Sequence, residues 1–326
     1  MNVFVTGASG FLGSHVAEQL STAGHHVRAL VRRTSDTRFL SGLNNVELVE
    51  ARLDDTASLE RALSGCEYVI HAAGLVKARS EQEFFEVNAH ATERLFEAAT
   101  RVPGMRRFVL VSSLAVAGPS EQGAPVPLER TPAPVTAYGR SKLAGERAVL
   151  GKKSSLPLTI VRPPAIYGPR DREVLAFFRA IKLGVLPILG APTNRMSMIY
   201  GPDCAAACVA ALSRDLPSGT TLFVDDGDVH TFEELVTTSE AALGRRAFLR
   251  LPLPRRVIRA AALGSEFYGR VRNQAVMFNR DKCNELFAEW VCDGSATRQL
   301  LDWKPEFTFR EGVQRTVDWY KAAGWL

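Results

Sequence analysis

Residues 1–13, MNVFVTGASGFLG, decide the fold, because an apolar run leads directly into three glycines that are spaced three apart. Apolar residues then recur at helical spacing from Leu12 onward, so the expected order is strand, glycine turn and helix. Gly7 allows a tight exit from the strand, Gly10 lets backbone N–H groups approach a pyrophosphate, and Gly13 lets the helix lie close to the sheet. The stretch therefore predicts a dinucleotide-binding turn, with the phosphates at a helix N-terminus.

Five further apolar stretches are predicted to be strands, and helical patterns separate them. Their positions are 27–31, 46–49, 68–71, 107–112 and 221–224. Strands that alternate with helices form a parallel sheet covered on both faces, so the expected fold class is α/β, a Rossmann-type doubly wound parallel sheet with a smaller mixed substrate lobe. Ala72, Ala73 and Gly74 follow the strand at 68–71. Their small size permits a cofactor to approach closely.

The second strand ends at Arg32 and Arg33, where this fold meets the adenosine ribose. A carboxylate at this point would accept both ribose hydroxyls and repel a 2′-phosphate. Two guanidiniums match phosphate geometry instead, and Ser9 offers a nearby hydroxyl. NADP(H) is therefore expected to be preferred over NAD(H), although a solvated basic loop would contain the same residues.

The net charge of +5 comes from one segment, 245–272. It holds eight arginines, and Glu266 is its single acidic residue, so the rest of the chain is net negative. Because the positive charge is confined to this segment, no nucleic-acid partner is expected. Apolar residues are interleaved with the arginines, so the segment could contact anionic lipid at the periphery of a membrane. The sequence alone favours the other interpretation, a solvated rim of the substrate lobe.

No apolar run reaches the roughly 20 residues of a membrane span, and the chain opens directly into a strand with no room for a signal peptide. The five cysteines have neither metal-ligand spacing nor a paired pattern, which favours reduced, buried thiols in a cytoplasmic protein. His71 lacks partners at metal spacing, so a core histidine is expected. Asp225, Asp226 and Asp228 are expected to form a polar turn, and no metal site is predicted.

Tyr138 and Lys142 stand four residues apart at the start of a helix predicted over 136–150. Residues at this spacing share one helix face. Ser113 follows the fifth strand, and Asn88 is the only amide on an otherwise apolar helix stripe. A buried amide must be hydrogen-bonded, so Asn88 either bonds neighbouring backbone or touches the active site.

Together these motifs resemble the extended short-chain dehydrogenase/reductases of the NAD-dependent epimerase/dehydratase superfamily. That family carries the G-x-x-G-x-x-G turn, a serine after the fifth strand, a helical asparagine and a Y-x-x-x-K pair. It also carries an R-P-x-x-x-Y-G-P segment, which this chain matches at 162–169. The resemblance covers nearly the whole chain and is closest to the branch with 3β-hydroxysteroid dehydrogenases and dihydroflavonol reductases.

The resemblance implies hydride transfer between a nicotinamide and the carbon of a secondary alcohol or ketone. Tyr138 would exchange the substrate's proton, Ser113 would hydrogen-bond the same oxygen, and Asn88 would complete the catalytic set. A free tyrosine has a pKa of about 10, so Lys142 and an oxidised nicotinamide are expected to lower the pKa of Tyr138. The implied cofactor contacts are Gly7, Ser9, Gly10, Phe11, Leu12, Gly13, Arg32, Arg33, Leu53, Ala72, Ala73, Gly74, Tyr138, Lys142, Pro163 and Ile166.

The substrate is expected to be apolar, alicyclic or steroid-like. Sugar-nucleotide members of the family usually have an asparagine at the position of Ala165 and an arginine at the position of Met196, and both are missing here. Arg195 lies one residue out of register. A nucleotide-sugar epimerase or dehydratase stays open as an alternative, as does a non-catalytic NADP-binding sensor.

Arg52 stands where the family usually has an acidic residue against the adenine, so the Leu53 backbone and Asp54 would have to serve there. A loop is expected over 184–192, and the chain could form a homodimer. The predicted division is a dinucleotide-binding domain over 1–168, to which 195–226 return, and a substrate-binding lobe from 169–194 and 227–326.

Overall fold

The computed structural model of the chain describes residues 1–188, 190–276 and 278–326. Along the chain the strands are β1 Asn2–Thr6, β2 His26–Val31, β3 Val46–Glu50, β4 Tyr68–His71, β5 Arg107–Val111, β6 Leu158–Arg162, β7 Ala165–Tyr167, β8 Val185–Ile188, β9 Arg195–Met196, β10 Met198–Tyr200, β11 Thr220–Phe223, β12 His230–Thr231 and β13 Leu249–Pro252. The helices are α1 Phe11–Thr22, α2 Thr56–Leu63, α3 Glu81–Phe85, α4 Ala91–Thr100, α5 Ala137–Leu150, α6 Leu175–Leu183, α7 Gly201–Ser213, α8 Phe232–Leu243, α9 Arg255–Arg272, α10 Arg280–Leu286, α11 Ser295–Leu301 and α12 Phe309–Ala322.

Seven of these strands form one parallel sheet in the order β3-β2-β1-β4-β5-β6-β11. Thr6, at the end of β1, pairs with Leu30 on one side and with His71 on the other. The strand order reverses between β1 and β4, and in open α/β sheets a ligand binds outside the carboxyl ends of the strands at that point. The predicted fold class is confirmed, and the predicted strands are correct to within one residue at each end.

The two faces of the sheet bury separate cores. Side chains alternate between the faces of a strand, so Val3 and Val5 of β1 pack in a core with Val16 of α1, which α7 also covers. Phe4 lies between them in sequence and packs on the opposite face with Leu95 of α4. Because both faces are covered, the strands appear in the sequence as nearly continuous apolar runs.

Helix α5 lies unusually close to the segment that joins α3 to α4. That segment, Glu86–His90, is a π-helical turn, which adds a residue to the helix at this point. A Cβ atom on Gly145 of α5 would overlap the backbone carbonyl of Asn88 in the turn. The glycine therefore allows two backbones to meet where the predicted catalytic residues converge.

A third core lies outside the sheet and is mostly aromatic. Its largest buried members are Tyr167, Phe178, Tyr200, Phe309 and Tyr320, from β7, α6, β10 and α12. The Tyr320 hydroxyl donates to the Asp171 carbonyl at 2.6 Å and so fixes α12 against the segment before α6. The predicted domain boundaries stay a prediction, and Leu301 of α11 packs in the same core as α1 and α7.

The expectation of a loop over 184–192 is wrong for its first part. Residues Val185–Ile188 form β8, which pairs in parallel with β13. Leu189 lies outside the described residues. The partner strand comes more than sixty residues later, so the backbone hydrogen bonds that stabilise β8 leave no local sequence pattern.

We expect Gly145→Ala to destabilise the protein by about 1–3 kcal/mol, because its new Cβ must displace the Asn88 carbonyl. Urea unfolding followed by circular dichroism measures the change. Gly264→Ala in α9 is the matched control, since among the described residues no atom beyond the helix's own backbone and the adjacent residues lies within 4 Å of its added Cβ. Alanine stabilises a helix interior relative to glycine by about 1 kcal/mol, so a loss of stability in the control as large as that of Gly145→Ala would contradict the packing argument.

Candidate functional site

Tyr138, Lys142 and Ser113 converge at the carboxyl ends of the central strands. Thr136 caps α5 by accepting the Gly139 N–H, so the helix begins at Ala137, with Tyr138 in its first turn. Ser113 lies directly after β5, where its hydroxyl accepts the Ala115 N–H at 3.1 Å. The structure thus brings together three of the residues that the sequence predicted to be catalytic.

The surroundings of Tyr138 keep its phenol protonated. Burial raises the pKa of Tyr138 to about 12, a hydrogen bond with Ser113 lowers it, and the Glu285 carboxylate raises it further. Phe84 covers one side of the ring, with ring centroids 6.2 Å apart and the rings edge to face. The expectation that Lys142 and an oxidised nicotinamide together lower the pKa of Tyr138 stays a prediction for the complex with cofactor, and in the chain alone burial dominates.

Lys142 is a buried cation whose Nζ donates to the Val111 carbonyl at 2.7 Å. Burial lowers the pKa of Lys142 to about 8, and the Glu146 carboxylate one helical turn away raises it. Glu146 is itself held by both arms of the Arg162 guanidinium at 2.9 and 2.6 Å. The charge on Lys142 therefore depends on a buried ion pair that the sequence analysis did not identify, although the Glu146 spacing was a usable signal.

Asn88 both fixes neighbouring backbone and lies beside Lys142. Its Oδ1 accepts the Leu75 N–H at 2.8 Å, and its Nδ2 donates to the Leu75 carbonyl and to the Ser141 hydroxyl, each at 3.0 Å. A Cβ on Gly74 would lie 3.1 Å from Asn88 Oδ1 and 3.5 Å from Lys142 Nζ. Asn88 therefore does both things that the sequence offered as alternatives. Its amide hydrogen-bonds neighbouring backbone, and it lies at the edge of the active site.

His71 lies beneath this edge in a chain of buried hydrogen bonds. Its Nδ1 is 2.6 Å from the Thr6 hydroxyl, and its Nε2 is 2.8 Å from the Thr92 hydroxyl, which donates to the Asn88 carbonyl. Burial, followed by the charge of Lys142, lowers the pKa of His71 to about 3, so the imidazole is neutral. The expected core histidine is confirmed, and it links β1 and β4 to the helix of Asn88.

The glycine turn exposes the N-terminus of α1. The Gly10 N–H bonds the Gly7 carbonyl at 2.8 Å, no side chain caps the helix, and its first turn holds no acidic residue. A Cβ on Gly13 would overlap the Gly7 carbonyl, which explains the third glycine. The Phe11 ring lies against Gly201 and so points away from the glycine turn. The groups that Phe11 and Leu12 present at the turn are their backbone N–H groups, at the start of α1. This end suits a bound pyrophosphate.

The ribose end of β2 is positively charged. Arg32 and Arg33 are exposed, and among the described residues neither guanidinium forms an ion pair or a hydrogen bond. Ser9 lies half-buried in the glycine turn. At the position expected to contact the adenine, Arg52 forms an ion pair with Asp54 at 2.6 Å. Because the Asp54 carboxylate is already paired, the Leu53 backbone is the remaining candidate for the adenine contact.

A buried hydroxyl indicates that these strand ends fit a polar ligand. Ser112 is 4% exposed, and its Oγ finds no hydrogen-bond partner among the described residues. Ala72, Ala73 and Gly74 follow β4, and Pro163, whose carbonyl accepts the Leu114 N–H, follows β6. Together with the exposed end of α1, these groups fit the dinucleotide that the sequence predicts, with Ile166 of β7 packed against the first core.

Helix α10 covers the side of the site away from the sheet. Asp281 accepts the Ala137 N–H at 2.6 Å, at the N-terminus of α5, and Glu285 lies close enough to raise the pKa of Tyr138. Lys282 pairs with Glu285 at 2.9 Å. None of these residues was predicted, because α10 follows α5 by more than a hundred residues and has no local motif.

The positions that bear on the substrate lie in β7 and β9. Ala165 is exposed, Met196 is half-buried, and Met196 forms a bridge with Trp290. The exposed Arg195 side chain runs along Gly123, in the segment between β5 and α5, and the Arg195 N–H bonds Glu289.

The aspartates after β11 form structural contacts. Asp225 accepts the Gly294 N–H at 2.8 Å and pairs with Arg298, while Asp226 lies 2.7 Å from His230 Nε2. Among the residues that the structure describes, no cluster of side chains could hold a metal ion. All five cysteines are buried and free, as expected.

A family model described as the NAD dependent epimerase/dehydratase family matches residues 3–223 of the chain. The chain belongs to this family. It is an enzyme of the extended short-chain dehydrogenase/reductase type, with NAD as the family's cofactor class, and the predicted resemblance is confirmed.

Two curated relatives of this epimerase/dehydratase family member align over almost the whole chain. A ceramide reductase of Caulobacter vibrioides is 37% identical over 327 residues, which cover 99% of this chain and 96% of that protein. Sterol demethylase protein B of Methylococcus capsulatus is 31% identical over 347 residues, covering 100% of each. The solved structure of MoeE5 in complex with UDP-glucuronic acid and NAD has a TM-score of 0.79 at 24% identity, covering 99% of this chain and 100% of that one, and shows the shared fold.

We expect Tyr138→Phe to bind the dinucleotide as the wild type does and to lose about a hundred- to ten-thousandfold in turnover, because the ring stays and the transferable proton is removed. Cofactor binding is measured by titration calorimetry and turnover by the absorbance of the reduced nicotinamide. Tyr68→Phe is the control, since Tyr68 is the first residue of β4 and lies at the amino ends of the strands, away from the site. Wild-type turnover in Tyr138→Phe would remove Tyr138 from the catalytic set.

Proposed function

We propose that the protein is an NADP(H)-preferring reductase that acts on the ketone of an apolar, lipid-like substrate and can also run as a dehydrogenase on the matching secondary alcohol. The observation that carries the substrate class is the pair Ala165 and Met196. They offer a methyl group and a thioether where a diphosphate would need an amide and a guanidinium. Arg195, the nearest cation in sequence, has its side chain along Gly123.

The protonated phenol of Tyr138 fits the acid role that ketone reduction requires. With its pKa raised to about 12, Tyr138 holds its proton at neutral pH, which is the form that donates to a ketone oxygen during reduction. Ser113 hydrogen-bonds the same oxygen and orients it. When bound, the nicotinamide supplies the hydride, and the buried Lys142 ammonium lies where it can bond the nicotinamide ribose.

The names of the relatives support a lipid-like substrate. The proteins that align over nearly the whole chain include a ceramide reductase and a sterol demethylase protein, and both names refer to lipids. A long-chain ketone of the ceramide type, or a sterol ketone, is therefore the substrate that we propose to test first.

A nucleotide-sugar epimerase is the second candidate, and the family description itself favours it. It would share Tyr138 and Lys142 but would need a held diphosphate. A non-catalytic NADP-binding sensor is disfavoured, because Ser113, Tyr138 and Lys142 occur together at one end of the sheet, an arrangement that cofactor binding alone does not require.

The cofactor preference is tested at Arg32, because its guanidinium is exposed and unpaired among the described residues. We expect NADP(H) to bind more tightly than NAD(H), and Arg32→Asp to reverse the order. Charged hydrogen bonds contribute about 1.5–3 kcal/mol each, so the change should be roughly tenfold to hundredfold. Titration calorimetry with both cofactors measures it, and Arg38→Asp, further along the same loop, is the control. Equal affinities in the wild type would contradict the proposal.

The substrate class is tested by incubating the purified protein with NADPH and a panel of ketones. We expect ceramide-type or sterol ketones to oxidise NADPH, as followed by its absorbance, and we expect UDP and UDP-sugars to leave the melting temperature unchanged. Tyr138→Phe serves as the inactive control. Thermal stabilisation by micromolar UDP-sugar, with no turnover of any apolar ketone, would favour the epimerase instead.

A further inference from the structure

Helix α9 presents its apolar side to solvent. Its buried residues, Ile258, Ala262 and Gly269, form one stripe that faces α10. On the opposite face Phe267 is 70% exposed and Val271 is 68% exposed. The other large apolar residues exposed along the helix are Val257, Leu263 and Tyr268. A helix on a protein surface normally turns charged and polar residues outward, so this outward face is unpartnered.

Arginines border the outward face. At 100° per residue, Arg259 and Arg270 lie along one edge of the face that contains Phe267, and Arg256 lies within that face beside Phe267. Arg259 and Arg270 are exposed and form no ion pair among the described residues. The only carboxylate on the helix, Glu266, is paired with Arg280 at 3.0 Å. Nothing on this helix therefore neutralises the arginines on its outer side.

We propose that α9 is an interfacial helix that docks the enzyme on an anionic lipid surface. An apolar face bordered by arginines buries its side chains at the boundary of the acyl chains while the guanidiniums contact lipid phosphates. A second copy of this chain would bring the same arginines together and repel. The sequence-based preference for a solvated rim is replaced by this proposal. Among the described residues no helix is long and apolar enough to cross a bilayer, so the contact would lie in the plane of the interface.

The docking helix is one helix away from the reacting groups. Cys283 of α10 packs against Ile258 and Ala262 of α9. The same α10 accepts the Ala137 N–H through Asp281 and carries Glu285 near Tyr138. A lipid-like ketone held in the bilayer beneath α9 would therefore lie one helix pair from Tyr138, and we infer that it reaches the site past α10. This second step rests on the proposed function, whereas the docking itself does not.

The docking is tested with the full-length protein and vesicles of phosphatidylcholine, with or without phosphatidylglycerol. We expect the protein to sediment with the vesicles that contain phosphatidylglycerol, and we expect high salt to weaken this binding. Arg259→Gln with Arg270→Gln should weaken partitioning about thirtyfold, because each arginine near an anionic surface contributes about fivefold. Phe267→Ser with Val271→Ser should weaken it at least tenfold.

Two double variants are matched controls. Arg310→Gln with Lys321→Gln removes two exposed charges from α12, and Val229→Ser with Leu300→Ser removes two apolar side chains that are 44% and 48% exposed elsewhere. Both should bind as the wild type does, and all variants should melt at the wild-type temperature. The proposal is overturned if the wild type stays in the supernatant, or if the α9 variants bind as tightly as the controls. It is also overturned if sedimentation velocity finds a dimer that Phe267→Ser with Val271→Ser dissociates, with no vesicle binding.

These measurements use neither cofactor nor substrate, so they stand even if the reductase assignment fails. The delivery step needs an active enzyme. For it, we expect the α9 variants to turn over a vesicle-embedded ketone at least tenfold more slowly than the wild type, and a water-soluble short-chain ketone at the wild-type rate. Equal losses on both ketones would show that α9 affects the site itself and would overturn delivery from the bilayer.

Discussion

A chain of buried hydrogen bonds from Thr6 through His71 and Thr92 to the Asn88 carbonyl holds the site together. It joins the ends of β1 and β4, where the strand order reverses, to the π-helical turn that carries Asn88. Unpaired polar groups at this depth would each be unfavourable by about 1–3 kcal/mol. The hydroxyls and the imidazole therefore specify one arrangement of the two strand ends and the helix.

The neutrality of His71 is what makes this chain independent of pH. Because burial lowers its pKa to about 3, the imidazole stays neutral across the physiological range. A charged imidazole would also repel the Lys142 ammonium. The same low-dielectric surroundings thus disfavour a second cation, which leaves Lys142 as the positive charge at the base of the site.

The fold was largely predictable from the sequence, whereas the long-range contacts that hold the site residues in place were not. Six of the seven strands of the sheet, the glycine turn and the Tyr138–Lys142 helix follow from local periodicity and spacing, because each forms its pattern within a few residues, whereas β6 was not predicted. The pairing of Glu146 with Arg162 joins α5 to β6, and the contact of Asp281 with α5 spans more than a hundred residues. The pKa of Tyr138 depends on burial as well as on neighbouring charges, and residue spacing alone does not give burial.

Burial of Lys142 explains why this arrangement suits a bound dinucleotide. Arg162 donates to both oxygens of Glu146, so its guanidinium competes with the Lys142 ammonium for that carboxylate. The Val111 carbonyl supplies one hydrogen bond, while an ammonium can donate three. The pKa of about 8 expresses this incomplete compensation. A ligand that offers hydroxyl acceptors beside Lys142 would satisfy the remaining donors and favour the charged form. Binding of such a ligand and ionisation of Lys142 therefore support each other, which couples the cofactor to the electrostatics of the proton-transfer site.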